Sequence, residues 1–414
     1  MSSPRLLHNI ASLGVLYALN FGLGLIIIPH LARVLGVEGW GKIVFAQMII
    51  NYLIWFSNWS FYLGSTKKIA SNRESLSDLQ SIYSTTLSAQ WTLTVIAVLI
   101  LVLSATIIPS LHTAMSLLLI GAGLLIANAL QPFWFLNGME KVHEAAAIQV
   151  FTKLLGLPAI FFLIKERQDG YLYFLITSVS AMLTGAATLY WLKRKYQITF
   201  SFKGYLTIRH ELQEGLGLFI STIWANIYGS LIPMAVGIIA GPLQLGYYSL
   251  ADRVRTAGMQ LLHPVTHALF PRMCNLYAEN REEAVKLLLK SGLMILTASL
   301  VISVATFFFS PLIIHFLGGS EFEPSIHILK IISFTVVITI TFEFLMYQWL
   351  VVTHMDRLLN YSRVIPLVVA LVLMYTMISS DGARGAAWLS VLCESLSTII
   401  VIFGLRKGFR YRNE

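Results

Sequence analysis

Between Ala240 and Arg272 the chain reads AGPLQLGYYSLADRVRTAGMQLLHPVTHALFPR, a stretch apolar enough for a membrane that still carries Asp252, Arg253, Arg255 and two histidines. At 100° per residue, Ser249, Asp252, Arg253, Thr256, Gln260, His263 and His267 fall within about 60° of one line, spaced three or four apart. They form one polar stripe. From Ser249 to His267 is 18 steps, roughly 27 Å at about 1.5 Å per residue, close to the roughly 30 Å of a bilayer core. An Arg or Asp at mid-membrane costs on the order of 3 kcal/mol, so a stripe of this length cannot face lipid. The sequence predicts a helix that lines a wet, cationic central cavity.

The rest of the chain agrees with a membrane setting. Of its 414 residues 57% are hydrophobic and only 12% charged, with mean hydropathy +0.73, against about 25% charged in soluble domains. Membrane topology accounts for most of the net charge of +9, so no nucleic-acid partner is called for. Cys274 and Cys393 match no CxxC or Cys/His spacing, which leaves neither a disulfide framework nor a zinc site. Near the N-terminus Arg5 precedes an apolar run ending in PHLAR, without a small-residue cleavage site; it reads as a retained first helix.

Twelve apolar segments of spanning length are expected, at about 9–33, 41–64, 83–108, 112–136, 145–164, 171–192, 213–238, 243–270, 287–310, 325–352, 360–379 and 384–405. Twenty of the 29 cations fall on the termini and the even-numbered connections, including Arg5, Arg406, Lys407, Arg410 and Arg412, and five on the odd ones. Both termini are therefore expected in the cytoplasm. The fold class is an all-α polytopic membrane protein: an N-terminal lobe over 1–195, a cationic cytoplasmic linker over 196–212, and a C-terminal lobe over 213–414.

The halves echo each other. LGVEGWGKIVFAQ (Leu35 to Gln47) and AGPLQLGYYSLAD (Ala240 to Asp252) place Gly36, Gly41 and Ala46 on Gly241, Gly246 and Ala251 at an offset of 205. At that offset Gln47, Asn51, Trp55, Asn58 and Tyr62 fall on Asp252, Thr256, Gln260, His263 and His267. A second echo, MEK at Met139 and MDR at Met355, has an offset of 216. Two six-helix lobes in parallel repeat, with a cavity between them, are the expected architecture. One wall would be neutral and polar, the other charged.

Arg253 is the first candidate for a substrate contact, because a guanidinium recognises phosphate oxygens with a planar fork. Its plain alternative is neutralisation by Asp252. Asp252 is better spaced for Arg255, which points about 60° away from the stripe. Lys153 and Lys330 are further intramembrane cations, and Lys330 is also placed to snorkel. Arg33 and Lys42 flank the first hairpin, where headgroup contact competes with cavity work. Glu343, with Thr339 and Tyr347 a turn either side, and Glu394 are acids in apolar spans, proton carriers or neutral acids bonded to a neighbouring helix. Gln47, Asn51, Asn58, Gln260 and His263 complete the polar lining. His263 and His267 have the spacing of a metal pair, but no third ligand lies nearby in sequence, so no metal and no cofactor is expected. Pro29, Pro233 and Pro264 are places for a bend or break, or for a kink with no moving part.

PHLARVLGVEGWGKIVFAQ, FWFLNGMEKV, GYYSLADRV and ALFPRM, in this order and spacing, resemble the polysaccharide-transporter family: O-antigen flippases of the Wzx type, in one superfamily with MATE exporters and lipid II flippases. The resemblance implies translocation of an undecaprenyl-diphosphate-linked oligosaccharide across a bacterial inner membrane by alternating access. It implies cavity cations at Arg253, Arg255 and Lys153, and at Arg33. Asp252, Glu343 and Glu394 are the candidates for proton or sodium coupling; membrane lipids and a polysaccharide polymerase machinery are the other partners in view. Two other classes compete. A MATE-like cation or drug antiporter calls for an acidic, aromatic site, whereas this stripe is net basic. A membrane polymerase or ligase calls for a large external loop, and none is long enough.

Overall fold

The helix from Arg281 to Gly318 shows how this sequence packs. Its exposed face carries Leu289, Leu293, Leu300, Phe308, Leu312 and Phe316, and its buried face Ser291, Ser299, Ser303, Thr306 and Ser310. That is the inverse of a water-soluble helix. In hydrocarbon, apolar surface gains nothing by leaving the solvent, so small hydroxyl residues that let backbones approach form the contact face. Ser303 donates across it to the carbonyl of Ser333 at 2.9 Å.

The computed structural model describes the backbone of residues 3–112 and 114–410, and side chains there except at 3–21, 23, 25, 109, 110, 142, 145, 224–228 and 405–410. The terminal cations Arg5, Arg406, Lys407, Arg410 and Arg412 lie outside the described side chains. Among the described residues every regular element is helical, and seven helical stretches are long and apolar enough to cross a membrane. The chain is a multi-pass membrane protein.

Two compact units are formed, 1–230 and 231–414. The first holds α1 (Ser3–Asn58), α2 (Phe61–Ser71), α3 (Leu76–Ile107), α4 (Pro109–His112), α5 (Met115–Ala129), α6 (Phe133–Gly138), α7 (Val142–Leu163), α8 (Gly170–Tyr196) and the first part of α9 (Tyr205–Ile239). The second holds the end of α9, α10 (Gly241–Gln260), α11 (His263–Glu279), α12 (Arg281–Gly318), α13 (Glu323–Leu345), a π-helical turn (Met346–Val351) and α14 (Asp356–Arg410).

Several expected boundaries move, each for a local reason. The first connection shrinks to one residue: α1 turns at Gly36, with φ 71° and ψ 178°, a backbone that disfavours a side chain. Gly241, 205 residues on, has φ 84°. The expected single helix over 243–270 is in fact two, α10 and α11, because Pro264 has no N–H to give and its ring clashes one turn back. Pro29 and Pro233 lie inside helices that continue through them. The second span is likewise broken, between Asn58 and Phe61, where Trp59 adopts φ 48°. The fourth is broken at Pro132.

The fourth and tenth spans end alike. Lys141 N–H donates to Leu136 O at 2.8 Å with Glu140 at φ 58°, and Met355 N–H donates to Leu350 O at 2.9 Å with His354 at φ 55°. Each is a Schellman cap. Their offset is 214, which corrects the 216 of the MEK and MDR letters.

Residues 197–204, ahead of α9, form a non-helical connection that is tied to α3. The N–H groups of Thr199, Ser201 and Lys203 donate to Gln80 Oε1, Ser84 Oγ and Ser88 Oγ at 3.0, 3.4 and 2.9 Å. Every second residue of the connection meets every fourth residue of the helix. Lys68 of α2 holds the start of α9 through Glu211 and Glu214 at 2.8 and 2.9 Å.

Candidate functional site

In the second unit the charges converge from three helices. Asp252 and Arg255 of α10 pair at 2.8 Å, as their spacing predicts, and Arg255 also reaches Met259 Sδ at 3.7 Å. Glu394 of α14 lies within the electrostatic reach of Arg255 and beside the Thr339 hydroxyl of α13. Arg253 is exposed, and among the described residues it enters no ion pair. Gln260 is exposed at the end of α10. Lys330 lies over the Phe307 ring, 5.6 Å from its centre.

The break at Leu261 and Leu262 changes what the stripe does. Past Gln260 the helix is interrupted at Leu261 and Leu262 and restarts at His263, so a single 100° count has no one helix to run along from Asp252 to His267. His263 instead meets Glu343, Nε2 to Oε2 3.0 Å, and His267 packs on Tyr347 at 5.0 Å between ring centres. Glu343, remote in sequence, is thus adjacent in space, an acid that the sequence neighbourhood of the histidines does not offer. Tyr347 belongs to the π-turn, and Gln348 beside it, fully buried, donates to Thr266 O at 2.6 Å. Helix break and π-turn therefore face each other. Among the described residues no three His, Cys, Asp or Glu side chains group as a metal site.

In the first unit the polar residues are amides. Trp134 Nε1–H donates to Gln90 Oε1 at 3.4 Å, Gln90 Nε2 to Asn58 Oδ1 at 3.1 Å, and Asn128 Nδ2 to the same oxygen at 2.7 Å. An indole N–H can only donate, so Gln90 must present its oxygen to Trp134 and its NH₂ to Asn58. The Asn58 oxygen is doubly used, and its own NH₂ is turned the other way. Gln47 and Asn51 are half-buried on α1, Arg33 is exposed near its turn, and Tyr52 bonds Ser230 at 2.7 Å. Lys153 is on the exposed face of α7 with Phe151, Leu154 and Leu155. Trp55, Asn58, Trp59, Tyr62, Phe219 and Thr222 line a half-open cavity of about 270 Å³.

The profile of a family described as polysaccharide biosynthesis protein matches residues 6–277. The chain belongs to the polysaccharide biosynthesis protein family. This family member is 26% identical over 326 residues, 79% of either chain, to a protein of Escherichia coli (strain K12) described as "Putative O-antigen transporter". It is 24% identical over 400 residues, 96% of its own length and 98% of the relative's, to a protein of that description from Shigella dysenteriae. Its fold matches the lipid II flippase MurJ in an inward closed conformation with TM-score 0.77 at 14% identity, over 95% of this chain and 87% of that one. An inward-facing multidrug resistance MATE transporter of the MOP superfamily follows with TM-score 0.66 at 16% identity, over 96% and 94%. The polysaccharide biosynthesis relatives are transporters by description, not enzymes.

Sequence reasoning on this family member missed Gln90, Asn128, Trp59 and Gln348. A lone amide in an apolar run, as in SAQWTLT or LLIANAL, is the readable sign: burial obliges it to find a partner. The partner itself is not readable.

Proposed function

We propose that the protein is a flippase that moves an undecaprenyl-diphosphate-linked oligosaccharide, an O-antigen or similar repeat unit, across the inner membrane of a bacterium. The reading takes the full twelve-helix arrangement with both termini cytoplasmic, and alternating access of two six-helix lobes joined at 196–212. Family membership and the descriptions of the E. coli and Shigella relatives support it. The observation that carries it is Arg253: Asp252 is spent on Arg255, which leaves an exposed guanidinium in an otherwise membrane-embedded chain. A cation so placed needs an anion, and a lipid diphosphate supplies oxygens for a planar bidentate fork.

Arg255, Lys153 and Arg33 are the further cations offered to the diphosphate, and Gln47, Asn51, Asn58, Gln260 and His263 the polar groups offered to the glycan. Asp252, Glu343 and Glu394 are the groups through which protons or sodium would drive the cycle. A glycan delivered outside would go on to polysaccharide polymerase machinery. The test is Arg253→Ala in the natural host. Surface polysaccharide should fall sharply while lipid-linked repeat units accumulate on the inner leaflet and the protein remains inserted. Undiminished export in that variant removes Arg253 from the mechanism.

A further inference from the structure

The cavity beside Asn58 has properties that diphosphate binding does not use. None of its lining residues carries a charge. Trp59 and Phe219 stack at 3.9 Å and 9°, which leaves broad, fixed aromatic surface on one side, and Trp55 stands edge-on to Tyr52 at 5.2 Å. Asn58 contributes a donor whose direction is fixed by the Trp134–Gln90 chain behind it. Trp59 is also strained. A tryptophan at φ 48° is disfavoured by its side chain, and such outliers persist only where surroundings enforce them. Here the indole N–H donates to Leu212 O at 3.0 Å, and Gly215 leaves room for α9 to approach: a Cβ there would lie 2.2 Å from Ser60 Oγ. The chain spends conformational energy to hold this ring in place.

Flat apolar faces with oriented neutral donors match a sugar ring, whose C–H faces are apolar and whose hydroxyls accept hydrogen bonds. About 270 Å³ is below the roughly 300–1,000 Å³ of drug-sized pockets, so one ring fits and a chain does not. We propose that the Asn58–Trp59–Phe219 cavity is a subsite for a single neutral pyranose ring of the transported glycan. The assignment rests on the flippase reading for the word "transported", and on the cavity alone for the ring.

The test uses the full chain in lipid nanodiscs with methyl glucoside, methyl galactoside and methyl N-acetylglucosaminide as probes, read by saturation-transfer NMR, and undecaprenyl diphosphate without sugar as the second ligand. Saturation should reach the ring C–H protons of at least one pyranoside. Leu63→Trp, a replacement at a cavity residue that is 51% exposed and so spares the core, should weaken that binding about tenfold and leave undecaprenyl diphosphate binding unchanged. Trp55→Leu should do the same. Absence of signal from all three pyranosides, or wild-type signal in both variants, overturns the subsite. Translocation of a lipid-linked glycan by wild-type proteoliposomes is measured alongside. Translocation that persists without pyranoside binding rejects the subsite alone; cavity-dependent binding without translocation supports the subsite and rejects the flippase reading alone.

Discussion

Asp252 and Arg255 close an ion pair at 2.8 Å within one turn of α10, and Arg253 between them is left out of it. The two neighbouring arginines therefore do different work. Asp252→Asn should destabilise the protein by about 1–3 kcal/mol, because Arg255, with its side chain 18% exposed, keeps its charge and loses its counterion. Arg253→Ala should leave stability within about 0.5 kcal/mol of wild type. Denaturation of the micelle-bound protein, with Asp252→Asn/Arg255→Gln closing a double-mutant cycle, measures both. A coupling near zero would mean the pair is decorative.

Gly215 and Gly217 are two residues apart on α9 and should respond oppositely. A Cβ on Gly215 meets Ser60 Oγ at 2.2 Å and the Trp59 indole at 3.0 and 3.1 Å, whereas one on Gly217 meets nothing within 4 Å. Gly215→Ala should cost about 1–3 kcal/mol through displacement of the Trp59 turn. Gly217→Ala should be neutral or stabilising by up to about 1 kcal/mol through helix propensity. Thermal unfolding of the two variants decides it.

The connection ahead of α9 should lose protection when its acceptors are removed. Ser88→Ala deprives the Lys203 N–H of its 2.9 Å partner. A hydrogen bond worth about 0.5–1.5 kcal/mol corresponds to roughly twofold to thirteenfold faster amide exchange at Lys203, with the helical amides of α3 unchanged. Hydrogen-exchange mass spectrometry or NMR reads the difference.

Lys68 gives a pH signature. Burial pulls its ammonium below the ordinary value of 10.5, but hydrogen bonds and charge from Glu211 and Glu214 outweigh burial and raise it overall. A folded value above the unfolded one means that the stabilisation is fully present below pH 10.5 and is lost as pH rises through the raised value. Between pH 6 and 9, Lys68→Met should therefore be destabilising by a constant amount, and the wild-type advantage should shrink only at strongly alkaline pH. An advantage that faded between pH 6 and 9 would contradict the pairing.

Much of this fold is legible in local letters. Gly36 and Gly241 announce turns because only glycine occupies such backbone cheaply, and the three-residue step from Asp252 to Arg255 announces an ion pair. What is not legible depends on a helix break or on a distant partner. The stripe from Ser249 to His267 counts correctly only if one helix carries it, and Pro264 ends that condition; the restart brings His263 to Glu343, which periodicity on one element cannot show. Letter matching finds the caps at Glu140 and His354 but misses their register by two residues, because backbone hydrogen bonds, not side chains, define them. Trp59 reads as one more apolar residue of a helix. Its left-handed backbone follows from Leu212, Phe219 and Gly215, all more than 150 residues on.

The helices around Gly36, Gly241 and Gly382 are joined through one or two residues each. Joints this short hold no slack, so each pair of helices they connect must swing as a single folded page on its spine. Whatever rearrangement the protein undergoes, length for it has to be paid out elsewhere, from connections such as 197–204, and there the ladder onto α3 acts as the brake.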